Sequence, residues 1–327
     1  MNYPCILLGL AACAVGIEST AATDATSLPV IFFHGLSDDY TAGDNFVANL
    51  TAEGRTGGAI SRAVVEEMDD HQVQRYISLA GLQNGVFSGP NDADALATAG
   101  RSSVNYIVPE AVLNLSTYTS EDAHGKVQHD IAQLMLENPD LQYEYSYFNL
   151  QRSLQFGSWS YSNFFLSVLN NVNPCLPGDD QCIYDQRRRK ANFLKLESAY
   201  FFTSPEDGTI TPWQSSHFGR YSEVNSVAEI ETNFKDLTVV DMKDTLEYTS
   251  DTFGLRTLDE RGGLFLVTAD NVTHVCWSRD SAGCWFQDVY DTYIYPVLLY
   301  LDCVSGRQID HYQGCSCSQF CHDITKN

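Results

Sequence analysis

Two side chains in this sequence stand where proton-transfer chemistry would need them. Asp207 lies in "FFTSPEDGTITP" (201–212), just before Gly208, and His274 lies in "LFLVTADNVTHV" (264–275). Each follows an apolar run that reads as a strand. In a parallel sheet, reactive groups collect at the C-terminal ends of strands. Histidine titrates near neutral pH, so it can take and return a proton. A buried carboxylate beside it would orient the ring and stabilise its cation. Each residue also has a plainer reading, since Asp-Gly is a common turn pair and a loop histidine is often structural. A third place, "FFHGLSDD" (32–39), sets a His-Gly turn after "LPVIFF" (28–33). There the backbone N–H of Leu36 could face an oxyanion. The same residues could equally form a tight turn, with His34 satisfied inside the fold.

An acid and a base of this kind serve a nucleophile, and its place is visible. In "EGRTGGAISRAVVEEM" (53–68), a Gly57-Gly58 pair precedes a helix-like run, as it does after a strand-to-helix elbow carrying a reactive serine. Two residues before Gly57 stands Arg55. Arginine stays protonated at any working pH and cannot attack an acyl carbon. Thr56 is one residue off and would point away from the histidine. Ser61 lies about one turn inside the helix.

The elements that must position these groups alternate in type. "VQRYISLAG" (73–81), "SAYFFTS" (198–204) and "GLFLVTA" (263–269) read as strands, as does "LPVIFF". "GAISRAVVEEM" carries Ile60, Val64 and Met68 at helical spacing, which predicts an apolar stripe with the acids on the other side. "GKVQHDIAQLMLEN" (125–138) and "YIYPVLLYL" (293–301) read as helices, Pro296 marking a kink or start in the latter. The fold class expected is α/β, a mostly parallel sheet covered by helices on both faces. Residues 84–190, rich in Asn, Ser, Tyr and Phe, lack a βαβ rhythm and read as a cap inserted over the sheet's C-terminal edge. Tyr143, Tyr145, Tyr147, Phe148, Phe156 and Trp159 could line an acyl groove there, or form core. "RRRK" (187–190) reads as a solvated helix face, with a partner site as the alternative.

The chain has 327 residues, enough for a large core, and a formal net charge of -23. Such charge repels nucleic acid and anionic membranes and otherwise means a solvated acidic surface. "CILLGLAACAVGI" (5–17) is apolar but too short to span a bilayer, so residues 1–22 read as a signal peptide, with a signal anchor as the alternative. No later stretch suits a transmembrane helix. Beyond Cys5 and Cys13 there are eight cysteines, an even number that reads as disulfides in an exported chain. Cys175–Cys182 and Cys276–Cys284 would each close a short loop. In the tail (304–327) Cys315, Cys317 and Cys321 lack the paired spacing of zinc modules, so disulfides are favoured over a metal. Asn49, Asn114 and Asn271 head N-glycosylation sequons. A glycan at Asn271 would crowd His274, so this sequon is expected to be unused or its glycan to point outward.

Together, "HGLSDD", "GGAISRAV", "YISLAGLQNGVFSGP" (76–90), "SPEDGTITPWQSSHFGRY" (204–221) and "TLEYTSDTFGLRTLDERGGLFLVTADNVTHV" (245–275) resemble the palmitoyl-protein thioesterases. The likeness covers the start, residues 54–90 and residues 190–302. It implies an α/β-hydrolase fold and hydrolysis of fatty acyl thioesters on protein cysteines, in lysosomes or outside the cell, without cofactor or metal. The substrate would be an acylated protein or peptide with its acyl chain in a hydrophobic groove. Asp207 takes the acid position, His274 the base, and Leu36 and Thr56 the oxyanion donors; the serine slot holds Arg55. From Gly35 to Gly57 there are only 22 residues. The family pattern needs two further strands and their helices in that interval, and one βαβ unit takes about 30 residues. The chain is therefore expected to lack two central strands and the nucleophile, as after a skipped exon or a faulty gene structure. As written it is expected to fold poorly and to be inactive. A secreted lipase or carboxylesterase of the same fold, and a non-catalytic acyl-binding protein, are the alternatives.

Overall fold

The computed structural model describes residues 62–91 and 108–298. Helix α1 (Arg62–Glu67) leads into strand β1 (Arg75–Leu79). Helices α2 (Lys126–Glu137) and α3 (Asp180–Phe193) follow, then strand β2 (Ser198–Thr203). A short ribbon of β3 (Arg220–Tyr221) and β4 (Val239–Val240) precedes helix α4 (Leu255–Glu260), strand β5 (Leu264–Thr268) and helix α5 (Phe286–Val289). The runs expected at 73–81, 198–204 and 263–269 are thus strands, trimmed by a residue or two at their ends.

β1, β2 and β5 form one parallel sheet in that order, with Ile77 opposite Tyr200 and Tyr200 opposite Phe265. Alternate residues serve opposite faces, as the pleat requires. Tyr200, Phe202, Ile77, Leu79 and Val267 pack against Trp277, Phe286 and Tyr290. Tyr76, Ala199, Phe201 and Leu264 pack against Val65, Phe193, Phe253 and Leu258. Both faces are covered, as near-continuous apolar strands demand. β3 and β4 pair antiparallel, and the Tyr221 ring leaves no space beside Gly89, where an added Cβ would lie 2.0 Å from it.

Between β1 and β2 the described regular structure is helical, apart from an isolated bridge of Val86 to Gln151. α2 buries Val127, Ile131 and Met135 at helical spacing. They join Leu113, Leu115 and Phe148 in a separate core, with Tyr145 and Tyr147 packed against it. Phe148 and Trp159 are buried, while Tyr143 is exposed and stacked on Phe164. A groove of about 680 Å³ runs beside Leu136, Pro139, Tyr161, Phe164 and Pro174. None of the six aromatics expected to line a groove lines this one.

Two sequence expectations need correction. Of the expected Ile60–Val64–Met68 stripe, Ile60 lies outside the described residues and Met68 is not buried, and the acids of α1 do not all face outward. Met68 is exposed, whereas Arg62, Val65 and Glu66 are buried. Arg62 lies over the rings of Phe253 and Phe218, at 4.6 and 5.3 Å, and donates to Asn170 Oδ1 at 2.5 Å. Its Nε lies 3.1 Å from Oε1 of Glu66 one turn later, a carboxyl whose burial favours the neutral form. The basic cluster is not simply solvated either. Arg188 pairs with Glu67, Asp69 and Asp185, Arg189 with Glu67, and Lys190 with Asp251. These pairs fasten α3 to the end of α1 and to the turn before α4.

Pro296 stands just after a π turn, Tyr290–Ile294, where Tyr295 N–H reaches back to Tyr290 C=O. A widened turn accommodates a proline ring that an α-helix would resist. The disulfides Cys175–Cys182 and Cys276–Cys284 are both formed. Residues 1–61, 92–107 and 299–327 lie outside the described residues. The proposed signal peptide, the expected "LPVIFF" strand, His34, Asn49, the C-terminal cysteines and residues 92–107 of the expected cap therefore go undescribed. Among the described residues no helix is long and apolar enough to cross a membrane.

Candidate active site

The loops that leave β2 and β5 meet at the sheet's C-terminal edge. After Thr203 the chain turns through Ser204 and Pro205, and Asp207 N–H donates to Ser204 C=O at 3.2 Å. Gly208 has φ +72°, a left-handed conformation that costs a glycine little. The turn aims the Asp207 carboxylate inward, where its side chain is 0 % exposed. Oδ1 accepts from the N–H groups of Thr209 at 3.0 Å and Ile210 at 2.7 Å. A buried carboxylate needs such donors.

The β5 loop is fastened to this turn at several points. Ala269 N–H donates to Thr203 C=O at 2.8 Å. Asn271 N–H donates to Glu206 Oε2 at 3.0 Å, and Val272 N–H to Ser204 Oγ at 3.3 Å. Ser204 Oγ also donates to Glu206 Oε2 at 3.0 Å. Beyond the loop, Cys276 is bonded to Cys284, both buried. His274 is thereby held from both sides. Its backbone N–H donates to Asp207 C=O at 3.0 Å.

The side chains complete the pair. His274 Nδ1 lies 2.9 Å from Asp207 Oδ2 and 3.1 Å from Oδ1. A carboxylate only accepts, so Nδ1–H is the donor, and the neutral ring carries its basic lone pair on Nε2. The imidazole is a third exposed while the carboxylate is buried. This is the arrangement of a general base oriented by an acid.

The structure thus brings together two of the residues picked out in the sequence, Asp207 and His274. Leu36, Arg55 and Thr56 lie outside the described residues. Sequence reasoning missed a buried polar chain behind β1. Arg152 Nη1 donates to Asn84 Oδ1 at 2.7 Å and to Glu247 Oε1 at 2.9 Å. Asn170 Nδ2 donates to the same Asn84 oxygen at 3.3 Å, while Asn170 Oδ1 accepts from Arg62. The only sequence signal was a scatter of charges within apolar neighbourhoods. His217 was missed too. Burial pushes its pKa down to about 4, and its neutral ring bonds Phe201 C=O at 2.8 Å.

The profile of the palmitoyl protein thioesterase family matches residues 55–274. Among curated relatives, lysosomal thioesterase PPT2-B of Xenopus laevis is 29 % identical over 240 residues, 73 % of this chain and 64 % of that protein. Human lysosomal thioesterase PPT2 is 29 % identical over 246 residues, 74 % of this chain and 63 % of its own length. The Drosophila melanogaster homologue is 26 % identical over 242 residues, 74 % of this chain and 65 % of its own. The chain thus spans a little under two thirds of the length of these relatives.

Proposed function

The chain belongs to the palmitoyl protein thioesterase family, and from that premise we propose that it descends from a serine-type hydrolase of long-chain fatty acyl thioesters. Asp207 is its acid and His274 its base. The observation that carries this is the 2.9 Å contact between His274 Nδ1 and buried Asp207 at the ends of adjacent parallel strands. In the complete reaction, His274 Nε2 takes the proton of a serine hydroxyl, whose oxygen attacks the thioester carbon. The sulfur leaves as a thiol with that proton. Water, deprotonated by the same nitrogen, then releases the fatty acid. Two backbone N–H groups, those of Leu36 and Thr56, hold the oxyanion.

This chain carries Arg55 where that serine belongs, and we read it as incomplete at that point. The support is the 22-residue interval between Gly35 and Gly57, together with a family match that begins at residue 55. Glu53, Gly54 and Arg55 belong to a segment tens of residues upstream in the family's order, so Arg55 is the neighbour left at the seam and not a mutated serine. Residues 84–190 act as the cap that receives the acyl chain. The names of the relatives, with two disulfides, support routing through the secretory pathway to a lysosome.

The purified chain is expected not to hydrolyse a palmitoyl thioester. Turnover that His274→Ala abolishes would overturn this. Arg55→Ser alone is expected to leave it inactive, because the strand that aims the serine is missing as well; recovered activity would refute that. Reading the transcript across codons 54–58 tests the seam directly, an in-frame insert ending in Gly-x-Ser-x before Gly57 being expected. Tight, stoichiometric fatty-acid binding without turnover would favour the binding-protein reading.

A further inference from the structure

The turn before the base carries a sequon, Asn271-Val272-Thr273. Its three side chains are placed very differently. Val272 is buried at 3 % exposure and pins the turn to the sheet's apolar face. Thr273 Oγ1 shares a hydrogen bond of 2.6 Å with Ser281 Oγ, inside the loop closed by Cys276–Cys284. Asn271 is exposed. Its backbone is left-handed, at φ +61°. Asparagine tolerates that region better than most residues. Its N–H is committed to Glu206 Oε2, while its carboxamide makes no hydrogen bond with the described residues. The second described sequon differs. Asn114 is half-buried, and its Oδ1 accepts from Ser116 N at 3.1 Å and from Ser116 Oγ at 2.6 Å.

We propose that Asn271 is an N-glycosylation site whose oligosaccharide is rooted on the rim of the Asp207–His274 pair. The asparagine is exposed and the buried member of the sequon is Val272, so the attachment point is open to a sugar. A mobile loop would let a glycan wander. This one is tied to the acid's own turn through Glu206 and Ser204 and stops at the disulfide-closed loop. The first sugars are therefore held beside the pair, on the Glu206 side, and narrow the approach there.

The transfer balances with a polyprenyl-diphosphate oligosaccharide as donor. The Asn271 carboxamide nitrogen forms a bond to C1 of the reducing-end sugar. The C1–O bond to diphosphate breaks, and the amide proton leaves with the diphosphate. Thr273 supplies the hydroxyl that the sequon requires.

The test is the full chain expressed in a secreting eukaryotic cell and purified from lysate and medium together. Peptide-N-glycosidase, which converts a glycosylated asparagine to aspartate, is followed by peptide mass mapping. Conversion of Asn271 is expected. Asn271→Gly, which keeps the left-handed turn, and Thr273→Val are each expected to lose one oligosaccharide from the intact mass, whereas Thr273→Ser retains it. An unconverted Asn271, whether or not Asn114 is occupied, or an Asn271→Gly mass differing from the parent only by the residue change, would overturn the proposal. The readout is mass, so it stands apart from whether the chain hydrolyses anything.

Discussion

Replacing Glu247 by leucine tests the buried polar chain behind β1. Arg152 is 3 % exposed and Glu247 0 %. The guanidinium lies 4.0 Å over the Trp159 ring and 5.4 Å over Phe156. Burial pulls its pKa down, and Glu247 is the main group opposing that. In Glu247→Leu the cation keeps only Asn84 as a partner for the nitrogen that now holds both. Removing one member of a buried ion pair costs about 3–5 kcal/mol. Total stability of a domain is only about 5–15 kcal/mol, so the loss is large. With a urea slope of up to about 3 kcal/mol per molar, the midpoint falls by about 1 M or more. Urea unfolding followed by tryptophan fluorescence measures it, and Trp159 reports from the pair itself. The double variant Arg152→Met/Glu247→Leu removes both charges. It is expected to recover most of the loss, short of the roughly 1 kcal/mol carried by the bond to Asn84. A single-variant loss below about 1 kcal/mol, or a double variant weaker than the single, would refute the reasoning.

Further outcomes follow from the same contacts. Gly89→Ala sets a methyl 2.0 Å from the buried Tyr221 ring; a loss of about 1–3 kcal/mol in denaturant unfolding is expected. Burial pushes the Glu66 carboxyl from its ordinary 4.5 up to about 8, against the pull of Arg62 and Arg189. The fold therefore favours the neutral acid: its contribution is complete below the ordinary value and is lost as pH rises to about 8. Glu66→Gln should flatten the decline in stability with pH over that window, and an unchanged profile would count against burial as the cause. His217 acts at the other end. Its pKa is lowered from 6.5 to about 4, so stability falls as pH drops through that range, and His217→Phe should remove that fall in a pH-dependent melt. Cys276→Ser/Cys284→Ser opens the loop beside His274 and should cost about 2–4 kcal/mol in urea unfolding.

Much of the frame was legible in the residues themselves. Three apolar runs became β1, β2 and β5 because a strand covered on both faces must be apolar throughout. A carboxylate and then an imidazole, each after such a run, picked out Asp207 and His274, which the fold brings to 2.9 Å, and the short loops between cysteines marked both disulfides. These are local patterns, readable within a dozen residues. The tertiary structure alone decided which charges went inside. Helical spacing in α1 pointed to Ile60, Val64 and Met68, yet Met68 is exposed and Arg62 and Glu66 are buried. Hydropathy scores each side chain by itself, whereas a buried guanidinium is stable only through partners that folding delivers. Arg62 has Glu66 one turn away, but Asn170 and the rings of Phe218 and Phe253 arrive from distant segments. Arg152, Asn84 and Glu247 meet in the same way, as do Arg188 and the end of α1. No period in the sequence encodes such meetings, because what makes them favourable is desolvation shared by residues far apart in the chain.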